Sequence, residues 1–255
     1  MASVCAVVPV YDHERAVAMT VAGLRRQGLT VLLVDDGSGP ACAAELRRLA
    51  AEDPAVLLLG LPENLGKGGA VMAGLLAAAD AGFTHALQID ADGQHDPEDV
   101  PRLVAAAYAE PGALVCGRPV FDASIPRHRL FLRYLTHVMV WLNTLSFDIP
   151  DSMCGLRVYP LAVVLPVLAA EPPGQRMDFD VEVLVRLHWR GVTMRWLPTP
   201  VRYPLDGVSH FRLVQDNWLI TLMHTKLFFG MLRRAPWLIA RRVRTAFSAA
   251  AGMTT

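Results

Sequence analysis

Asp90-Ala91-Asp92-Gly93-Gln94-His95-Asp96 sets three carboxylates, an amide and an imidazole in one short stretch, directly after the strand-like run Leu87-Gln88-Ile89. Being two apart, Asp90 and Asp92 point to the same side of an extended chain, and a bend at Gly93 turns Gln94 towards them. Paired hard oxygens suit Mg²⁺ or Mn²⁺, which take a few protein carboxylates and leave other positions to water and substrate phosphates. A solvated strand-to-helix turn is the alternative, with Asp96 capping a helix that begins at Pro97. That cap accounts for Asp96 but not for Asp90 or Asp92. A second candidate is Asn64-Leu65-Gly66-Lys67-Gly68-Gly69-Ala70. Its glycines let backbone approach a ligand where a helix begins, and Lys67 with the helix N-terminus would favour phosphate. A plain turn with a surface lysine remains the other reading. No G-x-x-x-x-G-K-[ST] is present and no G-x-G-x-x-G follows the first strand, so neither nucleotide-binding fingerprint applies.

These residues need elements that gather them. Apolar runs predict strands over 4–10, 30–34, 55–61, 84–89 and 113–116, and helical spacing predicts helices over 14–27, 41–52, 70–79 and 176–190. Strand–helix alternation of this kind implies right-handed crossovers and an open, mostly parallel, Rossmann-like α/β sheet with helices on both faces. Ligands of such sheets collect at the carboxyl ends of the strands. Asp12, Asp35, Asp36, Lys67, Asp90 and Asp92 all fall along that rim.

Of the 255 residues, 53% are apolar and only 19% charged, which points to contact with something greasy. The formal net charge is zero, which argues against a uniformly basic nucleic-acid binder. Four scattered cysteines form no C-x-x-C pair and read as reduced packing residues. His13, His85, His128, His137 and His188 lack metal-ligand spacing. There is neither a charged leader with an apolar core nor a window apolar enough to span a bilayer. Residues 130–145 predict a further helix, ordinary and buried rather than lipid-facing. From Arg212 to Arg244 there are seven Lys or Arg residues and one acid, Asp216. Pro236 divides this stretch into two predicted amphipathic helices, 218–232 and 237–243, suited to a membrane interface. The alternative is that Trp218, Leu222 and Phe229 pack on the preceding domain. The expected organisation is a catalytic domain over 1–212 and a basic amphipathic extension over 213–255.

The motifs VVPVYDH, LVDDGS, NLGKGGA and DADGQH, in that order, resemble those of family 2 glycosyltransferases of the GT-A type. The look is that of dolichyl-phosphate mannose synthases and other polyprenyl-phosphate sugar transferases. Asp151-Ser152-Met153-Cys154-Gly155-Leu156-Arg157-Val158-Tyr159 is similar to that branch's D-x-x-S-G-x-R-x-Y, and Gly207-Val208-Ser209-His210-Phe211 to its G-x-S-K-x loop. The stretch DGVSHFR through MHTKLFFGML also looks like glycosyltransferases encoded with bacterial aryl-polyene lipid machinery.

The resemblance implies roles. Pro9, Tyr11 and Asp36 would line the base and ribose pocket of a UDP- or GDP-linked sugar, with Lys67 and Asp90 nearby. Asp90, Asp92 and Gln94 would hold the Mg²⁺ or Mn²⁺ and the diphosphate. Arg118, in Gly117-Arg118, stands where the family has G-S-R and would face phosphate. Arg127, Arg129 and Arg133 lie in a region of further phosphate-binding arginines, and Arg157, Ser209 and His210 would contact the acceptor or its phosphate. Phe179-Asp180-Val181-Glu182 with Arg186 resembles E-D-V-E-L-x-x-R of hydroxyl-glycosylating members, whose second residue is the base. This makes Asp180 a candidate base for a hydroxyl acceptor. Asp178 competes for that role, and the bland alternatives are a helix N-terminal aspartate favoured by the dipole or one paired with Arg176. His210 in place of lysine also favours a hydroxyl, although Arg202 and Arg212 flank the loop. The expected activity is an inverting, metal-dependent sugar transfer to a membrane-associated lipid, hydroxyl or polyprenyl phosphate. The protein would act in the cytoplasm, peripheral on the inner face of the cell membrane, through the surface or a membrane-protein partner. A sugar-1-phosphate nucleotidyltransferase should show a glycine-rich, basic loop after the first strand, and none is present. A non-catalytic nucleotide-binding subunit would have lost the acids.

Overall fold

The computed structural model describes residues 2–121, 127–201 and 212–252, without the side chains of 127–129, 131, 132 and 245–252. The first half alternates β1 (Val4–Val10), α1 (Glu14–Arg26), β2 (Thr30–Asp35), α2 (Pro40–Glu52), β3 (Val56–Gly60), α3 (Lys67–Asp80) and β4 (His85–Gln88). Then follow α4 (Val100–Ala109), β5 (Leu114–Phe121), α5 (Arg127–Thr144), β6 (Arg157–Pro160), α6 (Leu161–Ala170), α7 (Phe179–Trp189), β7 (Met194–Val201) and α8 (Leu213–Gly252). The strands form one seven-stranded sheet in the order β3-β2-β1-β4-β6-β5-β7. Only β6 runs antiparallel to its neighbours, β4 and β5. The sheet separates two apolar layers, as strand alternation requires. Val7 on β1 faces the layer of α3, α6, α7 and α8, whereas Ala6 and Val8 face that of α1, α2 and α4.

The boundaries that differ from expectation matter for the site. Helix α3 begins three residues before the predicted 70, because Gly66 takes a φ of 86° that breaks the preceding chain and lets Lys67 start the helix. Strand β4 stops at Gln88, one residue short of 89, which frees the Asp90–Asp92 turn from the ladder. The predicted helical pair around Pro236 is a single helix, α8. Pro236 lies on its solvent side, while Met231 and Leu238, seven apart on one face, are buried on either side of it, so packing outweighs the lost hydrogen bond. Helix α5 is not simply buried either, since Tyr134, Leu135, Val138 and Leu142 are exposed. Met223, Leu227, Met231 and Leu238 of α8 join the layer formed by α3, α6 and α7. Among the described residues no helix is long and apolar enough to cross a membrane.

Candidate functional site

The carboxyl ends of β1, β2 and β4 converge as the sequence pattern requires, and the turns there are cross-tied by their own acids. Asp12 sits at a φ of 52°, an uncommon value outside glycine, with its Oδ1 accepting from the Gly39 amide at 2.7 Å. Asp35 accepts from the Ser38 amide at 2.9 Å. Asp36 is buried, and its two oxygens accept from the amides of Leu65, at 2.7 Å, and Gly66, at 2.9 Å. Burial pushes the Asp36 carboxyl up, and those two amides with Arg176 oppose the shift. Asp36 therefore shapes the Asn64–Ala70 loop rather than offering both oxygens to a base. Pro9 and Tyr11 are half-buried along the same rim.

Lys67 is the centre of the charge arrangement. Its Nζ lies 2.8 Å from Asp90 and 2.8 Å from Asp180 Oδ2. Both Asp90 oxygens touch the ammonium, but only Oδ2 has hydrogen-bond geometry, which leaves buried Oδ1 without a hydrogen bond. Burial alone would lower the Lys67 pKa, but Asp180 and Asp90 outweigh it and hold the ammonium above its ordinary value. Gly155 closes the far side, where a Cβ would come within 2.6 Å of Asp90 Oδ2 and 2.9 Å of Lys67 Nζ.

Behind this pair is a dry polar chain. Gln88, wholly buried on β4, donates to Asp180 Oδ1 at 3.1 Å and accepts from the Tyr159 hydroxyl at 2.8 Å. Arg157 is 1% exposed; it donates to the Ser152 carbonyl at 3.0 Å and to Tyr159 at 3.3 Å, and lies 3.5 Å from Asp180 Oδ1. The expectation that Arg157 contacts an acceptor or phosphate is not met in this arrangement, since its guanidinium is enclosed behind the rim. The Asp180 carboxyl is pushed up by burial but pulled further down by Lys67, Arg157 and the Gln88 hydrogen bond, to a value below the usual aspartate range. Its ionic partners are Lys67 and Arg157, not the Arg176 of the bland alternative. Asp178 is buried beside it and accepts from the Arg176 amide at 3.1 Å.

Asp92 is half-buried, with Oδ1 accepting from the Gln94 amide at 3.0 Å. Burial and then the neighbouring Asp90 charge raise its pKa. Asp96 caps the turn at Pro97 as the sequence implies, accepting from the Glu98 amide at 3.0 Å. Among the described residues no group of three His, Cys, Asp or Glu side chains gathers for a metal. Asp90 and Asp92 nonetheless fit a hard divalent cation. Asp90 keeps a buried oxygen with no hydrogen bond, the two acids crowd like charge, and their donor set suits an ion that completes its shell from a diphosphate.

Arg133 on α5 is held bidentate by buried Asp151, with both contacts at 2.6 Å, while His137 stands 3.3 Å from the same carboxylate. Burial pushes Asp151 up, but His137 and Arg133 hold it well below the usual aspartate range. Arg118 is exposed on β5. Arg202, Ser209 and His210, and the side chains of Arg127 and Arg129, lie outside the described residues. Gln88 was missed by motif reasoning, although a polar residue inside an otherwise apolar buried strand is a signal in itself.

The model of glycosyl transferase family 2 matches residues 5–164, the part of the chain that carries this rim. The chain belongs to that family. Among curated relatives, this family 2 chain is similar to the undecaprenyl-phosphate 4-deoxy-4-formamido-L-arabinose transferase of Pectobacterium atrosepticum. The two are 33% identical over 65% of this chain and 51% of that one. It is 35% identical to the undecaprenyl-phosphate mannosyltransferase of Micrococcus luteus over 40% of this chain and 43% of the relative. The chain thus spans about half the length of the curated relatives it matches. Its fold is that of glucosyl-3-phosphoglycerate synthase from Mycobacterium tuberculosis, seen in complex with uridine diphosphate. The TM-score is 0.66 at 15% identity, over 90% of this chain and 80% of that one. The same synthase has been solved with Mn²⁺ and UDP-glucose, with a TM-score of 0.65.

Proposed function

We propose that this family 2 protein transfers a sugar from a nucleoside diphosphate sugar to a polyprenyl phosphate, with a divalent cation at Asp90 and Asp92. The observation that carries the acceptor assignment is the state of Asp180. An aspartate that shares one ammonium with Asp90, lies beside Arg157 and has a depressed pKa is a poor proton acceptor. A phosphate acceptor is already anionic and needs no base, whereas a hydroxyl does. The relatives named for undecaprenyl phosphate support the same choice. Asp180 is then a positioning residue that fixes Lys67 against Asp90.

Cleaving the sugar–phosphate bond leaves a diphosphate with added negative charge. The cation, when bound, would stabilise that charge, with Asp90, Asp92 and Gln94 as its holders. Lys67 adds a fixed cation that acts most strongly as the charge develops. The cross-tied turns at Asp12, Asp36 and Asn64 hold the pocket walls for base and ribose in advance of binding. Displacement by an acceptor approaching opposite the diphosphate inverts the anomeric centre. The exposed Trp218 and Phe229 of α8, with its excess of cations, would hold the protein against the anionic face of a membrane.

Titration calorimetry with UDP and GDP, each with Mn²⁺ and with chelator, tests the donor site. Metal-dependent binding of one nucleotide is expected, and it should disappear in Asp92→Asn. Binding that is indifferent to both chelator and Asp92→Asn would overturn the metal assignment.

A further inference from the structure

Gln88 is an amide at a place in β4 where packing alone would take an apolar side chain. It is wholly buried between Leu87 and Ile89, themselves buried, and an amide removed from water destabilises the fold unless its hydrogen bonds are replaced. The replacements come from two other elements. Strand β6 pairs antiparallel with β4 so that Arg157 lies directly opposite Gln88, and Tyr159 stands two positions along on the same face. Helix α7 covers that face and brings Asp180 to it.

These four side chains form a hydrogen-bonded chain that has one direction. A guanidinium only donates and a carboxylate only accepts, so the two ends are fixed by their chemistry. Arg157 donates to the Tyr159 hydroxyl at 3.3 Å, Tyr159 donates to Gln88 Oε1 at 2.8 Å, and Gln88 Nε2 donates to Asp180 Oδ1 at 3.1 Å. Turning the amide over would set its oxygen against the carboxylate, two acceptors face to face. Arg157 is itself anchored on the Ser152 carbonyl at 3.0 Å. Asp180 is therefore held from behind through Oδ1, and its Oδ2 meets the Lys67 ammonium at 2.8 Å. On its other side the same ammonium lies 2.8 Å from Asp90, two residues beyond Gln88.

We infer that Gln88 and Tyr159 are positioning residues for the donor diphosphate, fixing through Asp180 the place where the Lys67 ammonium stands at the rim. This rests on the reading above of Lys67 and Asp90 as neighbours of that diphosphate. Neither residue carries charge and both are wholly buried, so they act on the nucleotide only by geometry. A chain that served the fold alone would stabilise the protein without favouring one nucleotide over another.

Titration calorimetry in Mn²⁺ tests this by comparing the diphosphate that wild type binds, UDP or GDP, with the matching monophosphate. Wild type should prefer the diphosphate by at least about tenfold. Gln88→Leu with Tyr159→Phe removes both partners of the central hydrogen bond, so neither is left stranded, and the thermal midpoint should stay within a few degrees of wild type. Diphosphate affinity should nonetheless fall about tenfold, the scale of a lost hydrogen bond to a charged group, while monophosphate affinity holds. Tyr159→Phe alone, which keeps the ring and its packing, should move the ratio in the same direction by a smaller factor. Formal charge is equal in all three proteins, so the ratio reports where Lys67 stands. Asp180→Asn cuts the link to Lys67, and in that background the paired substitution should change the ratio no further. The proposal is overturned by a wild type without diphosphate preference, by a preference that survives either the paired substitution or Tyr159→Phe, by equal losses for both nucleotides, or by full additivity with Asp180→Asn. A wild type that binds neither UDP nor GDP would bring down the donor-site reading itself, and this assignment with it.

Discussion

Lys67 decides how the residues of the rim behave, because one ammonium bridges two carboxylates that sit on different elements. Removing it leaves Asp90 without its counter-charge and Asp180 with Arg157 alone. Lys67→Met should therefore destabilise the fold by about 3–5 kcal/mol, the usual cost of stranding a buried charge. Urea denaturation at neutral pH measures it, and adding Asp180→Asn should recover part of the loss, giving a non-additive cycle. Asp180→Asn alone separates the two chemical roles. If Asp180 only positions Lys67, turnover should fall while the pH–rate profile keeps its shape. A general base would instead give a loss of about 10²–10⁴ and remove the acidic limb of the profile. At this scale the sequence was readable in part. Asp90, Asp92 and Lys67 stood out because charge at a strand end or helix start has few structural uses. What each acid pairs with was not readable. Asp36 is bonded to the amides of Leu65 and Gly66, and Asp180 to a lysine more than a hundred positions earlier, contacts that depend on how β2, α3 and α7 pack.

Among the elements, α5 is pinned to the loop before β6 by Asp151, which carries Arg133 and His137 on its oxygens and also accepts from the amides of Met153 and Cys154. The carboxyl is depressed in the folded state, so its contribution to stability is fully present above the unfolded value near 3.8. It is lost as pH falls from there towards the lower folded value. The stability gap between wild type and Asp151→Asn should thus be about 3 kcal/mol or more at pH 7 and shrink steadily below about pH 4. Denaturant titrations across that range would show it, and a gap that widened on acidification would contradict the pairing. Strands and helices of the first half were legible because the apolar runs of β1, β2 and β4 are buried on both faces of the sheet, and that of β3 stays apolar although it lies at the edge with Leu57 exposed. The errors have local causes. The glycine pair Gly68-Gly69 hid the start of α3 at Lys67, and Pro236 suggested a break that the buried Met231 and Leu238 override.

For the whole molecule, the question is whether residues 213–255 form a separable membrane extension or part of the fold. A pattern reading of α8 finds its exposed apolar side, Trp218 and Phe229 at 62% and 61%, as readily as its buried one. Sequence alone could not divide them, since both sides are apolar and only contact with α5 and α7 distinguishes them. The buried side is large. Met223, Leu227, Met231 and Leu238 are each nearly inaccessible, and Arg234 bridges to Glu171 at 2.9 Å while stacking on Trp189. Four such side chains contribute about 6–12 kcal/mol on burial, as much as an entire domain's net stability. Ending the chain at 212 should therefore give an unstable, aggregation-prone protein rather than a soluble catalytic domain. By contrast, Trp218→Ser with Phe229→Ser should leave the thermal midpoint within a few degrees of wild type. That pair should still cut partitioning onto anionic vesicles by about tenfold or more. Calorimetric melting and vesicle co-sedimentation of the two proteins separate the roles. A truncated chain that melts like the full one would make α8 an appendage, and a double substitution that leaves vesicle binding intact would move the membrane contact elsewhere.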